Sequence, residues 1–182
     1  SRRLMYWQVY LHKTVLSAEQ MLQRIIKRAK YIKAETKLPV NKFINQPIEN
    51  VTLDEFCSLD DHDVLCAIKE WCHHEDKVLS FLCNGIINRD LLKVQYHPKP
   101  VDESMLVEKR KEAEKKLGIS NEDAEWVVFT GEAVSSTYNF EHERIQILFK
   151  NGSVKDISEV DDALISQNLS GKIKKYYICF LR

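Results

Sequence analysis

Leu11, Val15, Ala18, Leu22, Ile25, Ala29 and Ile32 follow one another at alternating steps of four and three. That spacing places all seven on one stripe of an α-helix, with Lys27, Arg28 and Lys30 on its other faces, and predicts a helix over residues 4–32. Neither Gly nor Pro interrupts it, and good helix formers fill its polar positions. At about 1.5 Å per residue the helix would run roughly 40 Å, long for a chain of this size. A single helix cannot bury so broad an apolar stripe, so it reads as the spine of a larger helical assembly.

Further along, Pro39 turns the chain out of the first helix, and residues 40–45 read as one short helix before Pro47. Thr52 followed three residues later by Glu55 is a capping pattern. Asp60-Asp-His-Asp63 supplies N-cap and first-turn acids for a helix whose inward face is Val64, Leu65, Ile68 and Trp71. A helix from about Glu75 turns Val78, Leu79, Leu82 and Ile86 inward. Residues 91–96 alternate weakly, as a short strand or extended exit, and His97-Pro-Lys-Pro100 reads as a linker.

After that linker the pattern changes character. Residues 102–117 form a charged amphipathic helix closed by Gly118. Residues 125–130 read as a β run, and 144–150 alternate as a strand that Asn151-Gly152 joins to 153–157, a strong hairpin signal. A helix over 160–169 and a final strand over 174–181 complete the chain. The expected fold class is α+β: a mostly helical N-terminal half, as in the remnant of a helical bundle, then a small antiparallel sheet with covering helices. Two parts follow, residues 1–97 and an α+β module over 98–182.

Composition adds exclusions. The 182 residues carry 27 basic and 27 acidic side chains, so bulk charge gives no reason to expect a nucleic-acid partner. No apolar run approaches the length that crosses a bilayer, and no secretory leader is present, so no membrane partner is expected. Five cysteines, an odd number without CxxC spacing, fit free thiols in the cytoplasm. Ser1-Arg-Arg runs straight into the helical pattern with no initiator Met, which reads as the downstream part of a longer protein.

Three constellations could carry chemistry. His62-Asp63, with His12 upstream and Asp90 downstream, superficially matches an H…HD…D metal set that activates water against a phosphoryl group; the simpler reading is an acidic helix start. Cys72-His73-His74-Glu75 holds good ligand types, but neighbours on one turn diverge and no second pair closes a zinc site. Arg110, Lys111, Lys115 and Lys116 alternate with Glu108, Glu112 and Glu114, as on a solvated, internally paired face. Arg2, Arg3, Tyr10, His12 and Lys13 remain. Their cations suit polyphosphate and Tyr10 offers a ring for a sugar. Packed rings beside surface cations explain them equally well.

The stretch MYWQVYLHKTVLSAEQML, with Tyr10-Leu-His-Lys13 at its centre, resembles the helix that follows the metal-binding core of HD-domain (deoxy)nucleoside triphosphate triphosphohydrolases. LDDHDVLCAIKEW and KVLSFLCNGIINRDLLKV resemble the family's next two helices, ending in Asn88-Arg-Asp-Leu-Leu-Lys93. Collinear similarity covers roughly residues 2–95, and the resemblance to HD phosphohydrolases of Bacteroidetes-type bacteria extends to the C-terminus. The resemblance implies that the H…HD…D set lies upstream, so no catalytic residue, metal ligand or cofactor is expected here. A divalent metal ion is expected in the full-length parent. His62-Asp63 then sits on a later helix. Arg2 and Tyr10 align with positions that contact substrate triphosphate and sugar. His12 and Lys13 align with positions that, in allosteric members, touch an activating nucleotide between subunits, whereas Trp7 and Gln8 replace a basic pair of the regulated animal enzyme. The expected whole is a cytoplasmic homo-oligomer hydrolysing a (d)NTP to nucleoside and triphosphate. This part, inactive alone, would supply substrate-side wall and oligomer contacts. The alternative is a non-catalytic oligomerisation or interaction module.

Overall fold

The computed structural model describes residues 5, 8–9, 11–135, 146–156 and 173–182. It is an α+β fold with a helical N-terminal half. Helix α1 spans Lys13–Ile32. α2 (Val40–Asn45), a 3₁₀ turn at Ile48–Asn50 and α3 (Leu53–Ser58) follow. α4 (Asp61–Trp71) and α5 (Lys77–Ile87) complete the helical half. Strand β1 (Lys93–His97) leads to α6 (Glu103–Leu117) and the single turn α7 (Asn121–Ala124). The strands β2 (Phe129–Ser135), β3 (Gln146–Leu148), β4 (Val154–Asp156) and β5 (Ile173–Phe180) come last.

Local chemistry sets most boundaries. Both capping boxes form: Thr52 with Glu55, and Asp60 with Asp63. At the end of α1 the chain turns through Lys33 in the left-handed region, and Ala34 N–H closes on Ala29 O at 2.8 Å. The expected β run over 125–130 begins later, at Phe129. Its first residues are captured by α7 instead, as the Val127 and Val128 N–H groups both donate to Ala124 O.

The inward face of α1 also differs from the expected stripe. Leu16, Ser17, Met21, Ile25, Arg28 and Ala29 are buried, while Val15 and Leu22 are 45% and 39% exposed. The helix is turned by its neighbours, α5 and β1, which pack against that side. Ser17 Oγ donates to Leu92 O at 2.7 Å, and Leu92 N–H reaches Met21 Sδ at 3.3 Å. Gly85 on α5 permits this approach, because a Cβ there would stand 2.6 Å from Met21 Cε and 2.9 Å from Asp90 O. The core continues through Ile68, Trp71, Leu79 and Leu82, all essentially without exposure. Trp71 keeps its indole N–H satisfied by Glu35 O at 3.2 Å.

The sheet has the order β1-β5-β2, antiparallel throughout, with Tyr96 opposite Tyr177 and Phe129 opposite Cys179. β1 follows directly on the helical half, so its pairing with β5 ties that half to the end of the chain. β3 and β4 form a separate hairpin. Its loop is Lys150-Asn151-Gly152, with Gly152 N–H on Phe149 O and Phe149 N–H on Ser153 O, both at 2.9 Å. Gly152, at φ 80°, takes the left-handed bulge position of a three-residue loop. The helix expected over 160–169 lies outside the described residues.

The best-paired cation among the described residues is also among the least exposed of them. Arg28 clamps Asp76 with Nε at 3.2 Å and Nη2 at 2.6 Å, and reaches Asp123 at 2.9 Å. It thereby links α1 to the N-cap of α5 and to α7. Burial alone would raise the Asp76 carboxyl, but the Arg28 hydrogen bonds and charge, with the Leu79 N–H, outweigh it and hold Asp76 below its ordinary value.

Candidate functional site

The start of α1 is built by His12. Its backbone is extended and its Nδ1 accepts from Thr14 N–H at 3.3 Å, so the imidazole is the N-cap. Lys13 is then the first helical residue, exposed and, among the described residues, in no ion pair. Leu11 just before is fixed from the sheet, its carbonyl accepting from Tyr96 Oη at 2.6 Å. Burial first, and then Cys179, raise the Tyr96 phenol above its ordinary value, which keeps it a donor.

Opposite, the chain leaves α5 through Arg89 at φ 59° and is stitched to α1 by the Ser17 and Met21 contacts. That brings Leu91–Val94 against the first turn of α1. His12, Lys13, Thr14, Leu91–Val94 and Arg182 enclose a cleft of about 300 Å³. A second hollow of about 570 Å³ shares Lys93 and Arg182 as a common wall and adds Lys109 and Lys116 of α6 around Phe180. Lys93 and Lys109 hold their ammonium groups 5.7 and 5.2 Å from the Phe180 ring centre. Among the described residues Glu112 is the lone carboxylate side chain lining the two hollows, and it pairs with Lys109 at 2.8 Å. Lys116 donates to the Arg182 carbonyl. Many cations around one acid make a place for an anion, and lysines suit a polyphosphate as mobile point charges.

Of the four site residues expected from sequence, His12 and Lys13 stand together in this cleft; Arg2 and Tyr10 lie outside the described residues. The two motif stretches, Tyr10-Leu-His-Lys13 and Asn88-Arg-Asp-Leu-Leu-Lys93, are brought together through Lys93. Lys93, Lys109 and Lys116 were not legible as site residues, because β1 and α6 offer no local sign of what they face. The basic residues of α6 are also paired differently from the expected i,i+4 ladder. Arg110 reaches Glu125 beyond α7 at 2.7 Å.

The other constellations resolve locally. His62 is highly exposed at the start of α4, 3.5 Å from the capping Asp60, and Asp63 is spent on the capping box. His74 Nδ1 accepts from Asp76 N–H, and Cys72 is buried with its thiol pushed up by burial. Among the described residues no three His, Cys, Asp or Glu side chains are grouped so as to hold a metal ion.

A second feature is an apolar groove of about 570 Å³ between α1, α2 and α4, lined by Leu22, Ile26, Phe43, Ile44, Val64 and Leu65 among others. Beside it, Leu53 and Phe56 of α3 are exposed, with Phe56 packed on Phe43 at 6.1 Å. No helix among the described residues is long and apolar enough to cross a membrane.

Comparison with known proteins finds a similar fold. The crystal structure of a phosphohydrolase from Bacteroides thetaiotaomicron VPI-5482 superposes with a TM-score of 0.88 at 38% identity, over 100% of this chain and 48% of that one, so the chain is phosphohydrolase-like in fold. The chain is also 33% identical to YwfO of Bacillus subtilis (strain 168), an uncharacterized protein, over 94% of this chain and 41% of that protein. It therefore spans less than half the length of either. No protein-family model matches it.

Proposed function

We propose that the chain is the C-terminal, non-metal-binding part of an HD-type phosphohydrolase whose whole form hydrolyses a (d)NTP to nucleoside and triphosphate in the cytoplasm. The observation that carries this reading is the likeness to a phosphohydrolase over the full chain. The cationic cleft supports it, since a triphosphate is the kind of ligand its lysines favour. In the whole protein a divalent ion held upstream would supply the activated water. The residues of this part bind and orient. Arg2 and Tyr10 face the substrate triphosphate and sugar, and His12 and Lys13 contact a nucleotide effector or a neighbouring subunit.

The test uses the full-length protein. It should release triphosphate from a dNTP in a metal-dependent reaction, and the 182-residue chain alone should not. Tyr10→Ala should lower turnover with the oligomer intact. Lys13→Ala should leave basal turnover nearly unchanged and weaken nucleotide-dependent activation or assembly. The apolar groove favours a second reading, a non-catalytic assembly module. Assembly of the full-length protein without any nucleotide affinity would establish it in place of the first.

A further inference from the structure

On the far side of α1 lies a different cleft, of about 610 Å³, between α1, α6, α7 and the start of β2. Arg24 enters it stacked on Phe129, its guanidinium carbon 3.3 Å from the ring centre. Arg24 donates through Nη1 to the main-chain oxygen of Glu125 at 3.3 Å, while Arg110 takes the carboxylate of the same Glu125. Two guanidinium groups therefore converge on one residue, and only one of them has a carboxylate. The Nε atoms of both are buried with no partner among the described residues. Burial first, and the like charge of Arg110 among the lesser causes, lower the Arg24 pKa. Lys27 lines the same cleft, exposed and unpaired among the described residues.

Beside these cations stands an aromatic wall. The Trp126 and Tyr31 rings lie 5.8 Å apart at 43°, and the Arg28 guanidinium sits 5.3 and 5.5 Å from their centres. Tyr31 is 66% exposed. A charge drawn partly out of water without a counter-charge is costly, and a ligand that supplies the counter-charge removes the cost. The rim also sets an upper limit on the ligand's charge. Arg28 is committed to Asp76 and Asp123, and Arg110 to Glu125, so Arg24 and Lys27 are left facing one further carboxylate, Glu122.

We propose that this cleft binds a small ligand with one oxyanion head, held by Arg24 and Lys27, and a flat apolar body laid against Trp126 and Tyr31. It is separate from the polyphosphate-favouring cleft at Lys13 and does not depend on that assignment. A dense polyanion is disfavoured here by the carboxylates on the rim. The oxyanion is a phosphate monoester or a carboxylate, and two probes separate these sources.

The experiment titrates the chain with phenyl phosphate and, separately, benzoate, reading tryptophan emission and thermal midpoint, with tripolyphosphate and benzylamine alongside. Saturable binding of phenyl phosphate or benzoate is expected, and the tighter of the two identifies the head group. Arg24→Gln should weaken it about tenfold or more, the scale of one lost charge-assisted bond. Because Arg24 packs on Phe129, Lys27→Gln is the companion variant; its side chain is exposed, so the fold is retained and affinity should fall. Trp126→Phe should abolish the emission change and keep the thermal shift. Binding that neither Arg24→Gln nor Lys27→Gln weakens would overturn the proposal. So would tripolyphosphate or benzylamine binding here more tightly than both probes, or the absence of saturable binding by either probe.

Discussion

Gly85 is the position where one added methyl group tests the packing that builds the cationic cleft. Its Cβ would meet Met21 Cε at 2.6 Å and Asp90 O at 2.9 Å, both inside van der Waals contact. Two effects oppose each other in Gly85→Ala. Alanine gains about 1 kcal/mol over glycine inside a helix. Overpacking a filled core costs about 1–3 kcal/mol. The Met21 methyl end can swing, but its sulfur is held by Leu92 N–H at 3.3 Å and faces the Ser17 hydroxyl at 3.8 Å. The Asp90 carbonyl is backbone and can retreat only by moving Leu91–Lys93. The upper half of the overpacking range therefore applies, and the net loss should be about 1–2 kcal/mol. At about 2–4 °C per kcal/mol for a chain this long, the midpoint should fall by a few degrees. Urea denaturation and thermal melting measure it, and Met21→Ala, Gly85→Ala should recover only the part due to the methionine. A Gly85→Ala protein as stable as the parent, or more so, would refute the close approach.

The Arg28 clamp gives a prediction with a pH signature. Arg28→Met should cost about 2–3 kcal/mol, below the full value for a broken buried pair because both carboxylates keep some water. The folded Asp76 pKa is depressed, so the pair contributes in full above the ordinary carboxylate value near 4 and is lost as pH falls through the folded pKa. The cost of Arg28→Met should accordingly shrink in acid; a pH-independent difference in urea midpoints would contradict it. Gly152→Val forces a β-branched residue to φ 80° with open space around it, so backbone strain alone, about 1 kcal/mol or more, should speed amide exchange at Phe149. Unchanged exchange there would count against the bulged loop. The exposed Leu22 and Leu65 of the apolar groove should drive self-association of the chain, relieved by Leu22→Glu, and a monodisperse monomer in sedimentation would remove the groove as a contact surface.

What was legible in the sequence was mostly local. Residues 40–45, the Thr52 and Asp60 caps and the helix closed by Gly118 are set by prolines, capping side chains and a left-handed glycine within a few residues of the helix ends, and the structure has them as expected. The α1 face was not legible, because the apolar surface is broad enough to offer two stripes and only α5 and β1 choose between them. Arg28 looked like a surface cation; its burial depends on Asp76 and Asp123, which nothing in the spacing associates with it. The cleft was half legible. The His12-Lys13 dipeptide marks it, but Lys93, Lys109 and Lys116 join through strand pairing and helix packing over long sequence separation.

The position of β5 between β1 and β2 has a consequence for the order in which the molecule is made. Both ladders of the main sheet use β5, and β1 is complete some eighty residues before it. At about 5–20 residues per second on the ribosome, β1 waits on the order of ten seconds before β5 supplies its ladder partner, with neither hydrogen-bonding edge paired to a described strand. During that interval the helices around Trp71 and Leu79 can already assemble, because their contacts lie within a short span of chain. The nascent protein is thus a helical body with an open strand edge, the state in which a chaperone or a second nascent chain would meet it.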